Sequence, residues 1–338
     1  MMKRIIHHAL FWPAFTLVLL LVASSLFNAS FLTVAWRDGH LYGSLIDILN
    51  RAAPLVVVSL GMTLVIAVRG LDISVGAVVA IAAAVAALMI GGSFSATGEV
   101  RSNYPLWMAL SVALLVATAC GLWNGLLVVK AGMQPIVATL ILMVAGRGIA
   151  QLLTGGQIIT VYYPPFFQLG NGFLLGLPVA LWIAGGLWLA LHLLLSRTAL
   201  GLFVRSIGGN PEAARVAGVR SSAITLCVYT FCGFAAGVAG LIVSSNVKSA
   251  DANNAGQSLE LDAILAVTLG GTALTGGRFS LAGSLIGALI LQTLTSMIYS
   301  SGVPPEVNLV VKAVLVFAVM LLQSPEFRRM VKRTHAHS

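Results

Sequence analysis

The sequence predicts an all-α polytopic membrane protein of about ten transmembrane helices, some short or broken, with one short cytoplasmic helix. Three observations predict it. Hydrophobic residues fill 59% of 338 positions and charged residues only 9%, where soluble domains carry about 25% charged residues. The apolar residues fall in runs near the roughly 20 needed to cross a bilayer. The basic residues collect between those runs, mostly on one side. No room remains for a large soluble domain, so residues 1–338 are read as a single membrane domain.

The first run follows a basic start, MMKRIIHHALFWPAFTLVLLLVASSLF. It exceeds the 7–15 apolar residues of a cleaved secretory signal, so it is read as a retained span. Ten runs are assigned: Leu10–Val34, Ile48–Val68, Leu71–Ile90, Leu106–Val129, Ile136–Leu153, Leu177–Leu195, Ala223–Ser244, Leu261–Leu274, Leu281–Tyr299 and Val307–Leu322. An even number places both termini on one side. Of the 19 basic residues, thirteen (Lys3, Arg4, Arg69, Lys130, Arg197, Arg205, Arg215, Arg220, Arg278, Arg328, Arg329, Lys332, Arg333) then lie at that side. Arg37, Arg101 and Lys248 lie at the other. Basic residues favour cytoplasmic loops, so both termini are expected in the cytoplasm. The net charge of +9 is thus read as topology, and no nucleic-acid partner is expected. Cys120, Cys227 and Cys232 fall within apolar runs and are expected to be buried packing residues, neither disulfides nor metal ligands.

Several runs are irregular. Val68-Arg69-Gly70-Leu71-Asp72 leaves almost no loop between the second and third spans. Leu261–Leu274 is short and followed by glycine pairs. Such breaks survive at depth only where protein or a watery cavity covers the backbone. Gly121/Gly125, Gly233/Gly237 and Gly283/Gly287 carry the small-residue spacing of close helix packing. The main outward segment, Thr154–Gly176, contains Pro164-Pro165 and Tyr162, Tyr163, Phe166 and Phe167. It is expected to form an interfacial hairpin. Gly70-Leu71-Asp72 and Glu260-Leu261-Asp262 hint at two related halves.

The longest polar interruption is the loop 196–222, SRTALGLFVRSIGGNPEAARVAGVRSS. Gly208 and Gly209 precede a short predicted helix with its ends marked. Asn210 is a favourable N-cap, and Pro211 suits the first helical position. Glu212 suits the positive start and Arg215 the negative end, and Gly218 can adopt the left-handed stop. Two turns do not persist alone in water. Ala213, Val216 and Ala217 form a small apolar face suited to a groove on a soluble partner. The alternative is a plain connector between spans.

Ionised groups within a bilayer cost about 2.5–3.5 kcal/mol and need a reason. Arg51, Asp72, Arg147, Asp262 and Lys312 are candidates, with Asn50, Ser74, Asn124, Gln134, Thr139, Gln151 and Asn246 as polar companions on a translocation path. The alternative is that they pair with one another and staple the bundle. His192 is read as an interfacial side chain. Enzyme signatures fail: there is no HExxH helix and no GxSxG elbow, and no lysine follows a glycine as a phosphate-binding loop requires. ATP-driven transport would therefore need another polypeptide to hydrolyse ATP.

The chain resembles the membrane permease subunits of bacterial sugar ABC importers of the ribose, xylose and arabinose type, and looks most like the galactofuranose permeases. The resemblance runs from about Asp47 to Gln323. It rests on GMTLVIAVRGLDISVG (Gly61–Gly76), WNGLLV (Trp123–Val128), QPIVATLILMVAGRGIAQ (Gln134–Gln151), GGNPEAARVAGV (Gly208–Val219), ELDAILAVTLGGTALTGG (Glu260–Gly277) and VVKAV from Val310. It implies a pair of permeases, either two copies or this chain with a paralogue, on cytoplasmic ATPase subunits in the bacterial inner membrane. ATP and Mg would sit on the ATPase, and no cofactor on this chain. A periplasmic sugar-binding protein would deliver a monosaccharide, and Asn210–Gly218 would be the coupling helix. Arg69 departs from the small residue usual before the Gly-Leu-Asp turn. An ion-coupled carrier acting alone, and a permease for branched-chain amino acids, are the alternatives.

Overall fold

The computed structural model describes residues 10–27, 31–37, 39–91, 93–94, 100–300, 302, 310–311, 313–314, 316–318 and 321. Helix α1 (Phe11–Phe27) leads into a hairpin of β1 (Ala35–Arg37) and β2 (His40–Tyr42). Helices α2 (Ser44–Ala67) and α3 (Val75–Ile90) follow, joined by the turn at residues 68–74. The strand pair β3 (Ser93–Phe94) and β4 (Val100–Arg101) precedes α4 (Leu106–Val129) and α5 (Pro135–Thr154). Next come β5 (Ile159–Thr160), α6 (Pro164–Asn171), and the hairpin of β6 (Phe173–Leu174) with β7 (Leu177–Pro178). Helix α7 (Val179–Arg197) leads to the short α8 (Leu200–Gly209) and α9 (Pro211–Val216), then α10 (Ser221–Val247). Strand β8 (Ser249–Ala250) pairs with β5. Helices α11 (Leu259–Leu269) and α12 (Leu281–Ser300) complete the described elements.

Among the described residues, six helices are long and apolar enough to cross a membrane: α2, α4, α5, α7, α10 and α12. Helix α10 is the central post, packed on α2, α3 and α4. Its contact faces are Gly and Ala, so neighbouring backbones come close. A Cβ on Gly233 would strike the Ala117 carbonyl and Gly121, and one on Gly121 would strike the Tyr229 carbonyl. A Cβ on Gly287 would likewise meet the Ala266 carbonyl between α12 and α11. The small-residue spacing read from the sequence is thus spent on helix packing.

Other expectations shift. The first run stops as helix at Phe27, and Ala35 already belongs to a strand. The run from Leu71 yields helix only from Val75, because residues 68–74 turn back on themselves. The run from Leu177 starts its helix at Val179, since Leu177-Pro178 is a strand. The run Leu261–Leu274 is helical only to Leu269; beyond it Gly271, Gly276 and Gly277 all have positive φ. The run Val307–Leu322 lies largely outside the described residues, as do Lys312 and the basic C-terminal cluster. Thr154–Gly176 is not one hairpin. It is strand, helix and strand, with Phe166 fully buried beneath it. Gly70-Leu71-Asp72 is a turn, whereas Glu260 and Asp262 sit in the first turn of α11, so the two triplets share no local structure. Of the cysteines, Cys232 is buried and Cys120 half-buried, but Cys227 is exposed on α10 beside Leu122 and Phe231. It faces outward because the inner face of that helix is taken by Val228 and Cys232, which lie one turn apart.

Candidate functional site

Two polar assemblies lie toward opposite ends of the bundle. The first begins at the turn from α8 into α9. Helix α8 buries Gly201, Val204, Ile207 and Gly208 on the bundle, and Arg205 lies over the Phe279 ring at 5.4 Å. At Asn210 the chain breaks to an extended conformation and α9 starts. The Asn210 side chain accepts hydrogen bonds from the amides of Glu212 and Ala213, each at 3.1 Å. Glu212 and Arg215 form an ion pair one turn apart. The guanidinium holds the Glu212 carboxyl below the usual carboxylate range, and Glu212 holds Arg215 above its ordinary value. Both side chains are exposed, so the pair organises the helix surface and adds little stability. Gly218 ends the segment at φ +83°. Ala214 is buried against the bundle, while Ala213, Val216 and Ala217 are exposed. The apolar face expected from sequence is therefore unoccupied by this chain's own described residues.

Arg69 fastens this turn to the bundle. Its Nε donates to the Gly208 carbonyl at 2.7 Å and its terminal nitrogen to the Gly209 carbonyl at 2.6 Å. Those carbonyls close α8 and have no helical partners of their own, so a cation suits them. Arg69 itself caps α2. It sits at φ +64°, its amide bonded to Ile66 and the Gly70 amide to Val65. That left-handed cap position favours glycine. The strain of a side chain there, about 1–2 kcal/mol, is held by the two bonds to the loop. The Gly277 amide also donates to the Ala67 carbonyl at 2.9 Å. Three backbone segments, 67–69, 208–209 and 276–277, thus meet at one junction. Arg69→Ala is expected to keep the backbone strain and lose both bonds, lowering stability by about 1–2 kcal/mol. Arg69→Gly should recover most of that by relieving the strain. Thermal unfolding of both variants in detergent checks the order.

Immediately beyond Arg69, the same turn builds a buried polar cluster. Asp72 is 1% exposed. Its Oδ1 accepts from the Ser74 amide at 3.0 Å, the Ser74 hydroxyl at 2.6 Å and Asn124 Nδ2 at 3.4 Å. Asn124 Nδ2 also donates to Ser74 Oγ at 2.8 Å. Thr139 Oγ1 accepts from the Ile73 amide at 3.3 Å, and its hydroxyl lies between the Pro135 carbonyl at 3.0 Å and the Leu71 carbonyl at 3.3 Å. The fully buried Tyr229 reaches the Leu71 carbonyl at 3.5 Å. Four of the residues predicted for a path, Asp72, Ser74, Asn124 and Thr139, therefore come together from three elements. Gln134, at the start of α5, is exposed and outside the cluster.

The second assembly lies toward the far ends of α5 and α10. Arg147 donates to the carbonyls of Ala252 and Ala255 at 2.9 and 2.7 Å. Gln151 donates to Asn253 at 2.6 Å. Asp251 accepts from Asn254 and from the amides of Asn253 and Asn254. The Asn254 side chain foremost holds the Asp251 carboxyl below its usual range. Asn50 donates to the Gly170 carbonyl at 3.1 Å, and Asn246 packs on that same glycine, so both brace α6. Arg51 projects elsewhere, and Asp262 stays in the first turn of α11. The predicted path residues thus split among separate places. Sequence reasoning missed Tyr229, Asp251 and Asn253. The run Asp251–Asn254, DANN, was the available signal, a polar turn between two apolar helices. His192 stacks on Trp188 at 5.2 Å.

The chain is similar to known transport proteins over almost all its length. It is 48% identical to the galactofuranose transporter permease protein YtfT of Escherichia coli K12, covering 95% of this chain and 93% of that one. It is 36% identical to the fructose import permease protein FruF of Bifidobacterium longum, over 97% and 91% of the two chains. It is 35% identical to the ribose import permease protein RbsC of E. coli K12, over 91% of each. No solved structure matches it. A family profile described as branched-chain amino acid transport system, permease component, matches residues 44–320. Six membrane-length helices, buried polar turns where they meet, and relatives that match nearly end to end place this chain in that family of multi-pass transport permeases.

Proposed function

We propose that the chain is the membrane-spanning subunit of an ATP-driven importer that carries a monosaccharide into the cytoplasm. The observation that carries this reading is the near-complete match to three permeases named for galactofuranose, fructose and ribose. In this reading ten spans cross the bacterial inner membrane with both termini in the cytoplasm, as the charge distribution favours. The helix Pro211–Val216 is the coupling helix. Its exposed Ala213, Val216 and Ala217 seat in a cleft of an ATPase subunit, which holds ATP and Mg. The anchored end, from Gly208 and Gly209 through Arg69, passes the push to the Asp72 turn. A periplasmic sugar-binding protein delivers the cargo, and a second permease, identical or paralogous, completes the pathway.

The family description favours a second reading, a permease for branched-chain amino acids. Reconstituting the chain with its ATPase and binding protein in liposomes separates the two. ATP-dependent uptake of labelled ribose, fructose or galactose, with none of leucine, supports the first reading. The reverse result would replace it, and uptake without any partner would make the chain a lone carrier.

A variant test probes the coupling helix itself. Val216→Glu places a charge on the exposed apolar face and touches nothing in the bundle, where Val216 is 79% exposed. It is expected to lower coupled uptake about tenfold or more, one buried contact being worth 1–2 kcal/mol. Expression and thermal stability should stay unchanged. Normal uptake would show that this face meets no ATPase.

A further inference from the structure

A groove of about 560 Å³ opens between α2 and α12 at the end opposite the Ser196–Ser222 loop. It falls within the roughly 300–1,000 Å³ of small-molecule sites. Its walls combine the apolar Phe31 and Ile48 with two polar stripes at helical spacing. Asp47 and Arg51 are four residues apart on α2, and Gln292, Thr295, Ser296 and Tyr299 follow i, i+3, i+4, i+7 on α12. Both stripes lie in the outer turns of membrane-length helices. Polar side chains in the outer turns lie near the interface, within reach of water, a ligand or a partner.

The side chains are uncommitted. Thr295 returns its hydroxyl to the Leu291 carbonyl at 2.9 Å. Asp47, Arg51, Gln292, Ser296 and Tyr299 have no side-chain hydrogen-bond or ion-pair partner among the described residues. Asp47 and Arg51 do not even pair with each other, although their spacing allows it. The contrast with the other polar assemblies is plain, since Asp72, Arg147 and Gln151 are all engaged. The set offers an acceptor-only carboxylate, a forked donor, an amide with both functions, and hydroxyls. Those groups match the vicinal hydroxyls of a sugar ring, and Tyr299 supplies a flat apolar surface for its C–H face.

We propose that this groove receives the monosaccharide as it leaves the delivering protein, before it passes deeper into the bundle. The proposal rests on the sugar-import reading and adds a place for the cargo. Within it, Arg51 and Gln292 set the hydrogen bonds and Tyr299 the stacking.

The test uses the full transporter in liposomes with labelled ribose, fructose and galactose. Gln292→Leu and Tyr299→Ala are each expected to lower uptake of the transported sugar about tenfold, the worth of a lost hydrogen bond or stacking face. ATP hydrolysis stimulated by the binding protein should stay near the parent rate. Ser296→Cys should react with a water-soluble thiol reagent faster than the parent's exposed Cys227, and the transported sugar should slow that reaction. Unchanged uptake in both variants overturns the groove. So does a Ser296→Cys that resists the reagent and instead forms a disulfide between two copies, which makes the groove a subunit contact. A parent complex that transports no sugar at all defeats the import reading itself, a result distinct from either.

Discussion

Gly208→Ala is expected to destabilise the protein by about 3 kcal/mol or more, whereas Gly209→Ala next to it leaves stability unchanged. The asymmetry comes from backbone. A Cβ on Gly208 would overlap the Ala67 carbonyl oxygen and the Gly277 amide, and one on Gly209 would meet nothing within 4 Å. Backbone cannot swing aside as a side-chain tip can, so the junction must open by the width of a methyl group. Opening it would break the Gly277–Ala67 bond and draw Arg69 off the end of α8. Melting temperature in detergent, with the amount of folded protein recovered from membranes, checks both variants. Equal loss in the two would show that chain flexibility at this turn, not close approach, demands glycine.

The second large effect is at Asp72. Asp72→Leu is expected to cost about 3 kcal/mol. It strips the acceptor from the Ser74 amide, the Ser74 hydroxyl and Asn124 in a site sealed from water, and each buried donor left unmatched costs about 1–3 kcal/mol. Asp72→Asn keeps one acceptor oxygen and should lose roughly half as much. Because the cluster joins the turn to α4, the leucine variant should also loosen Asn124. Hydrogen exchange at residues 70–76, faster in the leucine variant than in the parent, reads this directly. Unfolding curves that superimpose for Asp72→Leu and the parent would mean that the cluster is wet and its bonds are exchanged for water.

The sequence made the helical bundle legible because its signal is composition and run length, which tertiary contacts do not alter. The ends of α9 were legible for a related reason: capping is local chemistry, and Asn210, Pro211, Glu212 and Arg215 occupy the expected cap positions. The junction was not. Arg69 was visible as an odd residue before Gly-Leu-Asp, but its partners lie 139 and 140 residues away. Spacing along a chain carries no trace of such a contact. The path candidates show the same limit. Asp72, Ser74, Asn124 and Thr139 converge, while Arg147 and Gln151 join a loop beyond the next spans. Intramembrane polarity marks residues that need partners and leaves the partners unnamed. The groove stripe on α12 was readable in principle, since Gln292, Thr295, Ser296 and Tyr299 repeat at helical spacing, but only helix α2 reveals that another polar face opposes it.

The glycine seam between α4 and α10 bears on how the chain is made. Helix α4 ends at Val129 and α10 begins at Ser221. A ribosome working at about 5–20 residues per second needs roughly 5–20 seconds to bridge that gap. Throughout that interval the Gly121–Gly125 face of α4 waits in the bilayer with its mate unsynthesised. Biogenesis of the core is therefore a late event, and nascent chains released before Ser221 should be substrates for membrane proteases.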